Sequence, residues 1–406
     1  MRTSPQSNAR LSVIAGVLGL LALQAQAQTS PWYAGVNQRF EHHSNLFQSS
    51  GGGVSDTVSS TSLVGGVDLP ISRQRLYGRL TAGTNRYSNN TGLNHESYTG
   101  VLGLDWETAG RLSGTLALDA SQTLADFNPP GFSQAGLPAV ISNNATDTVG
   151  LRGSVRMGVV TRLTAEVGGA TRRTRFDNAL YQSRNVDIDE VYALVRYRPA
   201  GSLVVGGGVR ATRGTYPNFR APVGGGFTPE NFERNNVDLI AEWPVSGASR
   251  VDARLSFGKD SYDTITTRDY SGVTGEFTWR WQPTGRTALT TVYTRRSGDE
   301  VGVSNIPGQA TYATSANRVS DTVGVSADYE LTGKMKVRAT ASLSDSSAVD
   351  QLGRATDETN SAVSLGLVWE ATRAIRAGCD VTVRNRSNGV SSNANVFGCF
   401  GEFVLR

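Results

Sequence analysis

The sequence predicts an all-β fold, a transmembrane antiparallel β-barrel of about 18 strands (16–18). Apolar and polar residues alternate with period two along the chain, as in strands with two different faces. Connections alternate between short turns and longer polar loops. No later stretch reaches the roughly 18 apolar residues of a membrane-spanning helix. Glycine is abundant (46 of 406 residues) and only 18% of residues are charged, which also fits an all-β chain.

Residues 1–27 are typical of a secretory signal peptide. Arg2 and Arg10 supply the positive start, residues 11–23 are apolar but too short to cross a bilayer, and residues 25–27 read Ala-Gln-Ala, a cleavage signal. The alternative is a buried N-terminal helix. We therefore expect one mature domain, the barrel, over residues 28–406. Removing the two arginines lowers the formal net charge from +4 to +2, a balance that argues against a nucleic-acid partner.

The alternation divides the mature chain into strands in order. In one segment Leu112, Leu116 and Leu118 alternate with Ser113 and Thr115. The predicted strand centres lie near residues 36, 62, 80, 102, 117, 152, 169, 192, 208, 239, 256, 275, 291, 325, 340, 365, 380 and 400. The longer connections are expected near residues 44–56, 88–95, 125–145, 216–232, 299–316 and 347–357.

Short turns at one end and long loops at the other are typical of barrels in the outer membrane of Gram-negative bacteria, with the short turns in the periplasm. In lipid every backbone N–H and C=O must be paired, and a closed barrel is the sheet that achieves this. All six tryptophans lie near predicted short-turn ends, as an aromatic belt at one interface requires. A soluble periplasmic sandwich or propeller is the alternative, but no blade repeat is present.

Charged residues on the polar faces are predicted to line the lumen, because a charge facing lipid is costly. These positions are Arg152, Arg156, Glu166, Arg196, Arg210, Asp238, Glu242, Asp252, Arg254, Asp328, Glu330, Arg338, Asp380 and Arg384. Two functions of such mixed rows are open. They create a field across a water-filled channel, or they neutralise one another across neighbouring strands.

Two predicted loops, 125–145 and 216–232, are rich in aromatic residues and proline and are candidates for a constriction. Their aromatics are Phe127, Phe132, Tyr216, Phe219, Phe227 and Phe232. These rings either stack on sugars or pack on one another, and packing is the favoured alternative.

The mature chain has two cysteines, Cys379 and Cys399, with a turn signal at Asn388-Gly389 between them. In an exported protein this arrangement predicts a disulfide across two antiparallel strands. Two unpaired buried thiols are the alternative. A metal site is disfavoured because no further cysteine or paired histidine lies at ligand spacing, and no cofactor is predicted.

The candidates for a catalytic base are the three histidines, His42, His43 and His95. Glu41, His42 and Ser44 are the residues that a rim catalyst would use. A polar rim residue is more commonly just solvated, and the sequence contains neither GxSxG nor HExxH. We therefore expect a protein that is not an enzyme.

Several short motifs carry a resemblance to a known family. They are Asn45-Leu46-Phe47, Leu104-Asp105-Trp106, residues 110–114 (Gly-Arg-Leu-Ser-Gly) and Leu124-Ala125-Asp126-Phe127, together with the paired cysteines. The chain resembles the exosortase-associated outer-membrane β-barrels encoded with exopolysaccharide biosynthesis genes. The resemblance implies export of an extracellular polysaccharide, with periplasmic polysaccharide-export components as partners and no catalytic residues. One departure is the last residue, Arg406, where many outer-membrane barrels end in an aromatic residue.

The sequence therefore leaves three functions open. The first is a polysaccharide export channel with a charge-lined lumen gated by aromatic loops. The second is a general diffusion porin for small solutes. The third is a structural or adhesive barrel whose lumen is plugged.

Overall fold

The computed structural model describes residues 30–49, 53–125, 127, 143–158, 161–199, 201–220, 227–264, 266–297, 317–349, 355–387 and 391–406. The predicted signal peptide, residues 1–27, lies outside these ranges. Within them the chain forms 18 strands and three short 3-10 helices, Thr91–Leu93, Ala179–Arg184 and Thr266–Arg268.

The strands follow one another without crossovers and contain every predicted centre. Their bounds are β1 Trp32–His43, β2 Asp56–Ile71, β3 Gln74–Tyr87, β4 His95–Glu107, β5 Leu112–Leu124, β6 Ala145–Met157, β7 Leu163–Phe176, β8 Val186–Tyr197, β9 Val204–Arg220, β10 Thr228–Ser246, β11 Ser249–Tyr262, β12 Tyr270–Thr284, β13 Thr287–Arg296, β14 Asn317–Thr332, β15 Met335–Val349, β16 Ala355–Glu370, β17 Ile375–Ser387 and β18 Ser391–Leu405.

The sheet closes where the last strand meets the first. β1 pairs with β18 in an antiparallel ladder that runs from Ala34–Leu405 to His43–Val396. Each of the strands β2 to β17 pairs with its two neighbours in the sequence. The predicted closed, antiparallel 18-strand barrel is confirmed, and β18 completes the wall although Arg406 follows it.

The outer surface of the barrel is apolar. Leu63 on β2, Val191 on β8 and Val363 on β16 are each about 60% exposed, at 65%, 63% and 59%, and lie on widely separated strands. Exposed apolar side chains in such number are unfavourable in water and favourable in lipid. The start of β1, the end of β18 and the short turns lie at one end of the barrel. The chain is an outer-membrane β-barrel.

The tryptophans mark the periplasmic interface. The alternation places them on the outward face near the short-turn ends of β1, β4, β10, β12 and β16, and Trp279 stacks on Trp281 with ring centroids 5.4 Å apart. Such a girdle is typical of a membrane–water boundary. No helix in the described part of the chain has the length and apolar character needed to cross a membrane.

Two predicted loops are wrong in their extent. In the predicted loop 216–232, residues 216–220 belong to β9 and residues 228–232 to β10. In the predicted loop 347–357, β15 extends to Val349 and β16 begins at Ala355. The pairing continues above the apolar band, for example from Glu230 to Tyr216, so proline and aromatic residues that suggest a loop lie on extended strands. The expected loops 125–145 and 299–316 lie largely outside the described residues.

The predicted disulfide is confirmed. Cys379 on β17 pairs in register with Cys399 on β18, and the two are bonded. Cys379 is two residues from the exposed Val381 on β17, and Cys399 is two residues from the exposed Phe397 on β18. Residues two apart on a strand share a face, so the bond lies on the lipid-facing side of the wall. The turn residues Asn388 and Gly389 lie outside the described residues.

The two faces predict opposite responses to an introduced charge. Leu365 is 54% exposed on the outward face of β16, and its neighbour Ser364 faces inward. We expect Leu365→Arg to destabilise the barrel by about 2–4 kcal/mol, the cost of arginine near the bilayer midplane. Ser364→Arg should leave stability nearly unchanged. Urea unfolding in lipid vesicles, followed by tryptophan fluorescence, measures both, and equal losses would contradict the assigned faces.

Candidate functional site

All fourteen residues predicted to line the lumen lie on the inward face. Arg152, for example, lies between residues 151 and 153 of β6, and Leu151 is 43% exposed to the outside. Arg196 lies in the same way between the exposed Val195 and Tyr197. The placement follows from the two-residue period of a strand. A role of these residues in transport stays a prediction.

Most of these charges are paired with one another. On the periplasmic half of the wall formed by β6–β12, basic and acidic side chains alternate in a continuous chain. Its links are Arg156–Glu166 (3.5 Å), Arg196–Glu166, Arg196–Glu242 (3.4 Å), Arg250–Glu242 (3.4 Å), Arg250–Asp252 (2.9 Å) and Arg280–Asp252 (2.6 Å). We call it the ion-pair chain. The alternative in which the charges neutralise one another therefore describes this wall.

A second set of ion pairs lies on the extracellular side of the ion-pair chain. The guanidinium of Arg210 lies between Glu190, at 3.4 Å, and Asp238, at 3.1 Å, and its side chain is only 3% exposed. Arg234 donates to Asp260 at 2.7 Å. The predicted lumen residues did not include Glu190, Arg234 and Asp260, although they occupy inward positions by the same alternation that identified Arg210 and Asp238.

The remaining predicted charges lie around the rest of the wall. Arg152 lies 3.9 Å from Asp119, Arg338 pairs with Asp328 at 2.6 Å, and Asp380 pairs with Arg39 at 2.9 Å. Glu330 lies 3.8 Å from Lys336. Arg254 and Arg384 make no ion pair with any residue that the structure describes.

The aromatics of the expected loop 216–232 are mostly strand residues and form a buried cluster. Tyr216 and Phe219 lie on β9 and Phe232 lies on β10. The ring centroids of Tyr216 and Phe232 are 5.9 Å apart, and Phe232 lies 5.4 Å from Tyr262. The upper aromatic cluster, as we name it, comprises Val186, Ile188, Tyr216, Phe219, Phe232 and Tyr262. The rings pack on one another rather than present free faces to a ligand.

A glycine makes this packing possible. Gly214 on β9 pairs in register with Phe232, and a Cβ atom there would lie 2.0 Å from the ring. The ring therefore lies directly over the β9 backbone. Arg268, from the third 3-10 helix, covers the cluster with its guanidinium 4.3 Å from the centroid of Tyr262.

The other predicted aromatics are divided. Phe127 meets Phe47 edge-on with centroids 5.0 Å apart, beside a second buried group on the opposite arc of the mouth. That group is Leu46, Phe47, Val58, Tyr87 and Leu93. Phe227 is half exposed beside the start of β10, and Phe132 lies outside the described residues. Apolar packing thus fills the extracellular end along two arcs of the wall.

A third arc, formed by β13–β17, carries small polar side chains. Five hydroxyl residues face inward on five adjacent strands in direct register: Thr290, Ser326, Thr340, Ser364 and Thr382. We call them the hydroxyl row. None of the five hydroxyls makes a hydrogen bond to another residue in the described ranges. Sequence reasoning missed the row, because it exists only once the strand register is known.

Of the candidate catalytic residues, His43 lies 3.9 Å from Glu41, but Glu41 and His42 do not come together. Glu41 and His42 are adjacent on β1, so the alternation places them on opposite faces. His42 lies on the outside, with its Nδ1 3.1 Å from the Thr57 hydroxyl. His95 contacts Asn85 at 3.1 Å and the carbonyl of Leu93 at 2.9 Å. Within the described ranges no group of three or more His, Cys, Asp or Glu side chains is arranged to hold a metal ion.

Comparison with known proteins shows likeness at the level of solved structures. No protein-family model and no curated protein sequence matches the chain. It is similar to outer membrane protein opdK from Pseudomonas aeruginosa, with 12% identity, 92% of this chain and 98% of that chain covered, and a TM-score of 0.48. It is also similar to Pseudomonas aeruginosa OccK2 (OpdF) in complex with glucuronate, with 12% identity, coverage of 92% and 98%, and a TM-score of 0.46. Acinetobacter baumannii OccAB3 gives 10% identity, coverage of 92% and 99%, and a TM-score of 0.45.

The ion-pair chain predicts that removal of one of its acidic charges changes the ion selectivity of the barrel. Glu166 lies between Arg156 and Arg196 and also accepts a hydrogen bond from the Tyr192 hydroxyl at 2.9 Å. Glu166→Gln keeps the shape and leaves both arginines without that charge partner. If the lumen conducts, the reversal potential in a KCl gradient should shift toward that of chloride, because lumen charge sets selectivity. Glu96→Gln, on the outward face, is the control, and equal potentials in both variants would contradict the assignment.

Proposed function

We propose that the barrel is a passive outer-membrane channel for small polar solutes. The observation that carries the proposal is the contrast between the walls of the lumen. Most inward charges on β6–β12 are bound to one another, and at the hydroxyl row the β13–β17 arc offers small side chains with unengaged hydroxyls. A barrel of this strand number is wide enough for an aqueous path unless it is filled. The β13–β17 arc is where we place that path.

Polysaccharide export, the function implied by the family resemblance, receives less support. Its expected gate consisted of aromatic loops whose rings either stack on sugars or, as the sequence favoured, pack on one another. Tyr216, Phe219 and Phe232 are instead buried against one another at 1%, 6% and 1% exposure. Membership of the exosortase-associated family, a polysaccharide cargo and periplasmic export partners remain proposals for which this site offers no specific contact.

A plugged structural barrel is the other competing function. The upper aromatic cluster and the group around Phe47 favour it, because both place buried apolar side chains at the extracellular end. It differs from the channel proposal only at the β13–β17 arc. We further propose that the barrel has no catalytic role, since Glu41 and His42 face opposite sides of the wall.

A cysteine introduced into this arc tests the proposal. The chain has two cysteines, and both are in the disulfide, so an added thiol is the only target for a thiol reagent. Ser342 faces inward on β15 between Gly324 and Ala362, and Ala341 faces outward beside it. We expect an anionic methanethiosulfonate reagent to reduce the current through Ser342→Cys channels in planar bilayers, because the added group occupies the path.

The matched variant Ala341→Cys should keep its current after the same treatment. A folded Ser342→Cys barrel whose current ignores the reagent would place the path elsewhere. Currents that are blocked instead by fragments of the host's extracellular polysaccharide would favour the export function.

A further inference from the structure

The hydroxyl row is continuous around nearly a third of the barrel. Thr290 pairs with Ser326, Ser326 with Thr340, Thr340 with Ser364, and Ser364 with Thr382. Neighbouring strands lie about 4.8 Å apart, so successive hydroxyls are separated by about the width of a sugar ring. Because barrel strands are tilted by about 35–45°, a row across them climbs along the lumen while it circles the wall. Successive hydroxyls therefore lie at successive depths for a solute that passes through the lumen.

The surroundings of the row keep it accessible. The next inward positions toward the extracellular side include Gly324, Ser342 and Ala362, which project little into the lumen. Four of the five side chains are partly exposed, and Ser326 is 7% exposed. A solute in the lumen therefore reaches four of the five row residues, Thr290, Thr340, Ser364 and Thr382, without crossing a large side chain on β14–β16, and Ser326 is buried between them.

The charges beside the row are largely neutralised. On its periplasmic side Arg338 pairs with Asp328 at 2.6 Å and Asp380 with Arg39 at 2.9 Å. On its extracellular side Arg384 lies near one end and adds hydrogen-bond donors. A charged solute that gave up water here would meet few free charges of opposite sign.

We propose that the hydroxyl row is a binding track for neutral, multiply hydroxylated solutes such as polyols and small sugars. This inference rests on the proposed channel function and names its solute class. A hydroxyl both donates and accepts hydrogen bonds, so a ladder of hydroxyls matches a solute that carries hydroxyls on successive carbons. Each contact replaces one with water and is weak, and several weak contacts in series let a solute enter and leave.

Two neutral solutes of nearly equal mass separate hydroxyl recognition from size. Xylitol carries a hydroxyl on every carbon, and triethylene glycol carries hydroxyls at its two ends only. We expect proteoliposomes with the barrel to swell faster in xylitol than in triethylene glycol, after subtraction of protein-free vesicles. The triple variant Thr290→Val, Thr340→Val, Thr382→Val keeps the shape of the row. It should slow xylitol entry by about fivefold and leave triethylene glycol entry nearly unchanged.

Thr291→Val is the matched control, because Thr291 adjoins Thr290 on β13 but faces outward, and it should behave as the unmodified barrel. Heat-dependent mobility on gels and KCl conductance verify that each variant is folded and open. Equal swelling rates for the two solutes in a conducting barrel would overturn the track and leave the channel function standing. A xylitol preference that survives in the folded triple variant would also overturn it. A folded barrel that admits neither ions nor solutes would overturn the channel function itself.

Discussion

The pairing of every backbone N–H and C=O within lipid is the constraint on which the structure depends. An open sheet would leave two unpaired edges in the hydrocarbon, so the chain must return its last strand to its first. The β1–β18 ladder does this from Ala34 to His43. Closure then divides every strand into an outward and an inward row. The outward row is apolar because lipid surrounds it, and all polar chemistry is confined to the lumen.

Confinement determines how the lumen is built. Charges that cannot face lipid lie inward, and on β6–β12 most of them bind one another in the ion-pair chain and around Arg210. Bulky aromatics pack on the extracellular side of these charges, with Phe232 lying over Gly214. At the level of the hydroxyl row the β13–β17 arc carries small residues instead, among them Gly324, Ser342 and Ala362. The proposed channel function depends on this difference between the β6–β12 wall, where charges are paired, and the β13–β17 arc, which carries the hydroxyl row.

The fold was predictable because its signals are local. Period-two alternation located all 18 strands, and the positions of Cys379 and Cys399 about a common turn identified their bond. The same alternation assigned Arg210 and Asp238 to the inward face. The extent of β9 and β10 was not predictable, since pairing beyond the membrane depends on contacts between strands rather than on hydropathy. The hydroxyl row and the ion-pair partners likewise depend on register, which relates residues distant in sequence.

The unitary conductance of the barrel, refolded from residues 28–406 and inserted singly into a planar bilayer, tests the central claim most directly. An aqueous path beside the filled wall predicts discrete, persistent current steps in KCl without any partner protein. A barrel that passes no current, although its heat-dependent mobility on gels shows that it is folded, would contradict the account. The β13–β17 arc would then border no open path.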